Sequence, residues 1–389
     1  SLSGAWRISE ESFMESTRSW LDNLKIRLSW GKLGNSEIGN YEYQSVYGPS
    51  RYVFGNALAS GLAITAASNE LLQWEATTTT NFGIDASLLN NRLTASIDIY
   101  HKMTTGILYR PTMEYVLGNH TAPRQNIAEV SNDGIEFSLG WRDRIGKVEY
   151  SVSGNFSYNK NKLLELYNGV EEYINSTTGL KYMVGHPTTE FFLNRYAGVN
   201  PANGDALWYT ADGELTTEFR QEDKVMTGKT FDSPWAGGFG TTLMWKGLSL
   251  SAQFSWMAKR YVMNNDRFFE ESNGLYSAYN QSKRLLYDRW KKPGDITDIP
   301  RYDVVAQLDD RFLENTSFLR LKNLTLAYSL PQSLLKKSNF FTAARVYLQG
   351  QNLLTWTGFT GLDPEVASNI YRAQYPASRQ FTLGIEVSF

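Results

Sequence analysis

The sequence predicts an all-β protein, an antiparallel transmembrane β-barrel. Three observations predict it. Apolar residues recur at every second position in segment after segment. The connections between those segments alternate between short turns and long loops. No stretch approaches the roughly 20 apolar residues that a membrane helix needs. Period two marks an extended chain with one apolar and one polar face. The last segment shows it most plainly. Phe381, Leu383, Ile385, Val387 and Phe389 share one face; Thr382, Gly384, Glu386 and Ser388 share the other. A soluble sheet buries such a face against a second layer, and a membrane barrel turns it to lipid.

Composition narrows the class. The 389 residues are enough for one large sheet or for two or three ordinary domains. A formal charge of -2 gives no basic field for nucleic acid. Hydrophobic residues make up 42%, too few for a bundle of membrane helices. That fraction suits a barrel, because half of each strand faces water. The 23 Tyr, 20 Phe and 11 Trp suit membrane interfaces and carbohydrate-binding surfaces. Cysteine is absent, which excludes disulfides, zinc thiolates and a thiol nucleophile. Ser1 to Trp6 has neither the basic start nor the apolar core of a signal peptide. A leader was removed, or the chain is not the start of its gene product.

The elements follow in order. Leu2, Gly4, Trp6 and Ile8 begin inside a strand, and 10–22 is a polar turn with a short helix. Ile26, Leu28 and Trp30 form the next strand. A polar, aromatic segment leads to a strand over about 74–89. Asn90-Asn91 makes a tight turn, since Asn tolerates positive φ. Leu93, Ala95, Ile97 and Ile99 return, with Asp98 on the opposite face. Ile135 to Trp141 and Val148 to Tyr158 pair across a turn at Gly146. Phe191 to Val199 and Ala206 to Thr210 read as strands about a turn at Asn203. Phe239 to Trp245 and Leu248 to Trp256 flank Lys246-Gly247. A short helix is expected over 282–290. Leu319 and Leu321 start a strand whose phase slips at Lys322-Asn323, which predicts a bulge. Pro331 to Asn339 is a turn. Val346 to Trp356 and the closing strand complete about thirteen strands.

Short turns at Asn90, Gly146, Asn203, Gly247 and Pro331 alternate with long loops at about 34–73, 111–126, 167–188, 211–233, 258–316 and 357–378. Outer-membrane barrels keep short turns periplasmic and long loops extracellular. An even strand number closes such a barrel. The odd count and the start in mid-strand predict that earlier strands lie outside this chain.

Ordered stretches then resemble a known family. They include Ala5-Trp6-Arg7-Ile8-Ser9-Glu10-Glu11, Leu24-Lys25-Ile26-Arg27-Leu28-Ser29-Trp30-Gly31 and Asn81-Phe82-Gly83-Ile84-Asp85. Asn126 to Glu136, Ser317 to Leu324, Gln351-Asn352-Leu353-Leu354, Thr360-Gly361-Leu362-Asp363-Pro364-Glu365 and the terminal Phe389 continue the series. Together they cover essentially the whole chain. It resembles the C-terminal barrel portion of SusC/RagA-type TonB-dependent outer-membrane transporters of Bacteroidetes. The resemblance implies a 22-stranded barrel with an N-terminal plug that contacts TonB. Neither the plug nor the TonB-contacting segment is in this chain. It also implies a SusD-like surface lipoprotein as partner and import of oligosaccharides or peptides. The inner-membrane proton gradient would drive that import through TonB. The last strand, with Phe381, Leu383, Ile385, Val387 and Phe389, would carry the signal for the barrel-assembly machinery.

Catalysis and cofactors find no support. His101, His120 and His186 lie in separate segments without metal-ligand spacing. Asp212-Gly213-Glu214 and Asn203-Gly204-Asp205 lack the full ligand series of a calcium loop. Gly237-Gly238-Phe239-Gly240 precedes no helix, so it is no phosphate cradle. The aromatic loops are the candidates for contact with substrate or lipoprotein: Arg267, Phe268, Phe269, Tyr276 and Tyr279 in one, Tyr371, Arg372 and Tyr375 in the last. Aromatic faces stack on sugar rings, and polar neighbours bond hydroxyl or peptide groups. The competing reading is that these residues pack the loops together. Trp30, Trp141, Trp245 and Trp256 read as anchors at the lipid interface. Two other functions compete with nutrient import. One is a structural or adhesive barrel without energised transport, and the other is a soluble all-β binding or hydrolytic domain.

Overall fold

One antiparallel sheet of eleven strands, running in chain order, dominates the computed structural model. The structure describes residues 1–110, 122–166, 169–175, 179–335 and 340–389. The sheet strands are β1 (Leu2–Arg7), β2 (Leu21–Asn35), β3 (Glu75–Leu88), β4 (Leu93–Thr105), β5 (Ala128–Ile145) and β6 (Val148–Leu166). They continue as β7 (Trp235–Trp245), β8 (Leu248–Ala258), β9 (Phe318–Ser329), β10 (Ala343–Thr357) and β11 (Gln380–Ser388). Among the described residues no helix is long and apolar enough to cross a membrane.

Register turns the alternation into two surfaces. Leu28, Phe82, Ile99, Ile135 and Tyr158 lie opposite one another on successive strands. One residue away, Arg27, Gly83, Asp98, Glu136 and Ser157 form the neighbouring row. A single step in register separates an apolar row from a polar one. The apolar row is open: Leu28 is 56% and Ile99 51% exposed. An apolar face of this breadth is stable against hydrocarbon rather than water. Strand β7 gives its height. Trp235 and Trp245 close its two ends on the same face, ten residues apart. At about 3.3 Å per residue and a tilt of about 40°, they stand about 25 Å apart along a barrel axis, the height of an outer-membrane apolar band.

Most of the buried core lies off the sheet; a small cluster of Val130, Leu163 and Leu166 lies on β5 and β6. Phe191, Leu193, Val262, Ile299 and Phe312 are at most 1% exposed. They belong to the 167–234 and 259–317 connections, which with the 358–379 connection pack into one apolar unit. Long connections at 36–74, 106–127, 167–234, 259–317 and 358–379 all leave one end of the sheet. Short ones at 8–20, 89–92, 146–147, 246–247 and 330–342 leave the other.

Several expectations change. Phe191–Val199 and Ala206–Thr210 are extended but stand outside the main sheet. Glu190–Leu193 joins a four-stranded sheet, while Arg195–Val199 and Ala206–Tyr209 join a three-stranded one. Their short length and buried residues mark them as part of the loop core. The turn at Asn203 therefore lies within a long loop, and the expected loops at 167–188 and 211–233 are parts of one connection. Removing two strands leaves the parity of the others unchanged. The 36–74 connection also holds an unforeseen hairpin, Val46–Phe54 against Ala57–Ala66. Most of the expected 111–126 loop, and His120 with it, lies outside the described residues.

Other readings hold. Asn90 and Asn91 have φ of 61° and 57°. Lys322 is the extra residue between the Gln253–Asn323 and Phe254–Leu321 pairs. The expected short helix is α2 (Lys283–Tyr287), capped by the Ser282 side chain, which accepts from Arg284 N–H.

Candidate functional site

The polar wall begins with a buttressed arginine. Arg27 donates from Nε to Asp85 at 2.8 Å and from Nη2 to Asp98 at 2.9 Å. Asn81 donates to Asp98 at 2.9 Å, and Ser96 donates to Asp85 at 3.1 Å. Gly83 makes room for this group. A Cβ there would stand 2.6 Å from the Arg27 guanidinium carbon and 2.7 Å from an Asp98 oxygen. Gly134 does the same for Tyr100, whose ring would be 2.3 Å from a Cβ. Tyr100 thereby reaches Asn159, donating at 3.0 Å. Both glycines belong to the motifs that carry the resemblance.

The loop unit collects most of the expected contact residues. The helix α1 (Asn265–Glu270) starts at Asn264, whose side chain accepts from Arg267 N–H. Arg267 then meets Glu271 and Asp298 at 3.2 Å and Glu314 at 3.3 Å. Arg284 meets the same Glu271 and Asp298 at 2.5 and 2.7 Å, closing a ring of four charges. Burial disfavours charge on both Arg284 and Asp298. Their pairing outweighs it, so Arg284 stays above and Asp298 below its ordinary range. Phe268 packs on Phe312 at 5.4 Å, and Phe269 on Tyr276 at 4.6 Å. Tyr371 is 1% exposed and accepts from Leu362 N–H. Tyr279 is open, Arg372 is exposed, and Tyr375 is fully exposed. A cavity of about 720 Å³ lies between α1 and the 358–379 loop, lined in part by Asp266, Arg267, Glu270, Arg284 and Tyr371. The Glu270 carboxyl is raised by burial and by its neighbours Asp266 and Glu271.

The bulge at Lys322 serves this unit. It leaves Lys322 beside Arg320, and both reach the last loop. Arg320 meets Asp363 at 2.5 Å and Glu365 at 3.0 Å, and Lys322 meets Glu365 at 2.7 Å. Burial would raise the Asp363 carboxyl. Arg320 and the N–H groups of Ala377 and Glu365 hold it low instead. Arg260 in the 259–317 connection is 7% exposed and donates to the carbonyls of Pro364 and Val366 in the last connection and of Phe231 in the preceding one.

A second cavity, of about 380 Å³, sits where the 106–127 and 167–234 connections meet the sheet. Tyr109, Tyr173 and Tyr182 wall it. Tyr109 is pushed up to about 12 by burial and by the two other tyrosines. Sequence reasoning missed these three, because they lie in separate segments with no shared spacing. Of the histidines, His101 meets Asp133 at 2.5 Å and His186 meets Glu190 at 3.0 Å. Among the described residues no three His, Cys, Asp or Glu form a metal-binding group.

This arrangement has known counterparts. A solved structure described as the RagAB peptide transporter superposes on 100% of this chain with a TM-score of 0.91 and 37% identity. The chain belongs to the SusC/RagA-type TonB-dependent receptors. It corresponds to a C-terminal portion of that outer-membrane barrel. TonB-dependent receptor P3 of Formosa agariphila is 30% identical over 99% of the chain, and TonB-dependent receptor SusC of Bacteroides thetaiotaomicron is 29% identical over 100%. No family model matches. The chain spans about two-fifths of the length of these curated relatives, 41% and 40%, and 43% of the solved one. The matched proteins of this SusC/RagA type are named as receptors and a transporter, not as enzymes.

Proposed function

We propose that this chain is the barrel wall and outward loop platform of a TonB-dependent outer-membrane importer. It takes up oligosaccharides or peptides together with a SusD-like surface lipoprotein. The observation that carries the reading is the full-length superposition on the RagAB peptide transporter at 37% identity. The segregation of all long loops to one end of an eleven-stranded sheet supports it. The long-loop end faces outward and meets the lipoprotein. Tyr279, Arg372 and Tyr375 are the exposed contact residues there, while Phe268 and Tyr371 hold the platform together. The outer edges of β1 and β11 have no neighbour within the described chain. A lipid-embedded sheet tolerates no free edge. Both edges therefore pair with strands from the rest of the receptor. A plug from that remainder fills the lumen and contacts TonB.

The test is uptake of labelled peptide and maltooligosaccharide mixtures by cells with and without the full-length receptor, with and without a protonophore. Receptor-dependent uptake that the protonophore abolishes is expected, along with a co-purifying lipoprotein. Binding without any energised uptake would instead favour a structural or adhesive barrel.

A further inference from the structure

The inner face of the sheet is polar along most of its length, yet it turns apolar at the long-loop rim. On β6 the inward positions run Asn155, Ser157, Asn159, Asn161 and then Leu163. Leu163 pairs with Val130, so the change spans two strands, and Val130 in turn pairs with Thr104 on the third. Lipid contact does not explain it, because these positions share the parity of Asp98 and Glu136. Leu163 and Val130 instead floor the 380 Å³ cavity with Ile107 and Ile127. Tyr173 and Tyr182, cross-strand partners, hold parallel rings 6.2 Å apart. Tyr109 meets both edge-on at 5.8 and 6.3 Å.

We propose that this recess is a subsite for an apolar side chain, aromatic or large aliphatic, of a peptide passing through the receptor. The inference rests on the import reading and narrows its substrate to peptides. Size agrees: about 150 Å³ of apolar cavity suffices for benzene, and ligand pockets begin near 300 Å³. Polarity separates a peptide side chain from a sugar. A sugar ring brings several hydroxyls that need partners. Beyond the phenol hydroxyls of Tyr109, Tyr173 and Tyr182, the first two of which bond each other, the cavity offers few. The Thr104 hydroxyl is engaged with Thr77 at 3.0 Å, and Thr188 donates to Asn161 at 2.9 Å. Glu75, at the rim, already receives Leu108 N–H. An apolar side chain asks for none of these, and its peptide backbone stays at the polar edge.

The experiment uses the full-length receptor in detergent and three probes: the tripeptides Ala-Phe-Ala and Ala-Gly-Ala, and maltotriose. Calorimetry is expected to show Ala-Phe-Ala binding at least about tenfold more tightly than Ala-Gly-Ala, the scale of apolar-pocket discrimination. That ratio should collapse in Tyr182→Ala. In the unaltered receptor, a tripeptide carrying benzoylphenylalanine should crosslink within 104–110, 122–130, 163–166, 172–175 or 179–188, or at Glu75. This arm decides the matter even if Tyr182→Ala fails to assemble. Equal affinity for the two tripeptides, a ratio that survives Tyr182→Ala, crosslinks elsewhere, or displacement by maltotriose would overturn the subsite. Uptake is scored separately. Selective, Tyr182-dependent binding without protonophore-sensitive uptake would refute import and leave the subsite standing.

Discussion

Arg320 on β9 and Asp363 in the last long loop form a buried ion pair 2.5 Å long, their side chains 2% and 12% exposed. It joins two motifs that are distant in the sequence, Ser317 to Leu324 and Thr360 to Glu365. The bulge at Lys322 adds a second cation to the same anchor. The last loop is thereby pinned to the sheet rim while its far part lines the cavity beside α1.

Removing one partner of a buried pair costs about 3–5 kcal/mol. Arg320→Met should therefore release the 358–379 loop. Hydrogen exchange across that loop is expected to rise while β9 and β10 keep their protection. Unchanged exchange would show that the Arg260 contacts suffice to hold it.

Gly83→Ala should lower the yield of assembled barrel, because its Cβ would meet Arg27 and Asp98 inside van der Waals distance. Overpacking of this kind costs about 1–3 kcal/mol. Gly4→Ala is the control, since nothing lies within 4 Å of its Cβ. Heat-modifiable migration on gels reads both, and equal yields would count against the steric account.

Asp309 predicts a pH dependence of the loop unit. Its carboxylate accepts from Trp208 Nε1 at 2.8 Å and from Arg311 N–H at 3.1 Å, and it is 0% exposed. Burial raises it from 3.8 to about 6, only partly offset by Arg311 and Trp208. The folded unit thus keeps a proton that the unfolded chain releases near 3.8. Its stability falls as pH rises from about 4 to above 6, by about 3 kcal/mol in all. After correction for the intrinsic rise of amide exchange with pH, protection around Trp208 should be greater at pH 5 than at pH 7.5. Asp309→Asn should flatten that difference, and a persistent slope would assign it to another group.

Phe389 is 82% exposed and stacks on Phe340 at 5.6 Å. Phe389→Glu should reduce the receptor recovered from outer membranes, while Phe340→Ala should do so less. Equal losses would point to the stack rather than to recognition of the last strand.

The legible part of this protein was whatever one strand reveals about itself. The alternation of Phe381 to Phe389, the Asn90-Asn91 turn and the phase slip at Lys322 each depend on neighbours in sequence, and each stands as read. Phe191 to Val199 misled, because alternation in a short run does not say which sheet it joins. Phe268 and Tyr371 were visible as aromatics, but whether an aromatic ring faces substrate or core depends on what folds over it.

The sequence by itself determined the period of the strands, the parity of turns and loops, and the family. These follow from steric alternation along one extended chain and from ordered motifs. Tertiary structure alone decided that three long loops share one core. It also decided that Arg267 and Arg284 close a charge ring with Glu271 and Asp298, and that three distant tyrosines wall one cavity. Some of these contacts are near in sequence, such as Arg267–Glu271 and Tyr173–Tyr182, but each group closes only through residues from separate segments, Asp298 in the ring and Tyr109 in the cavity. No local pattern encodes the assembled groups; the register of the sheet brings the loops together, and packing then selects which side chains meet.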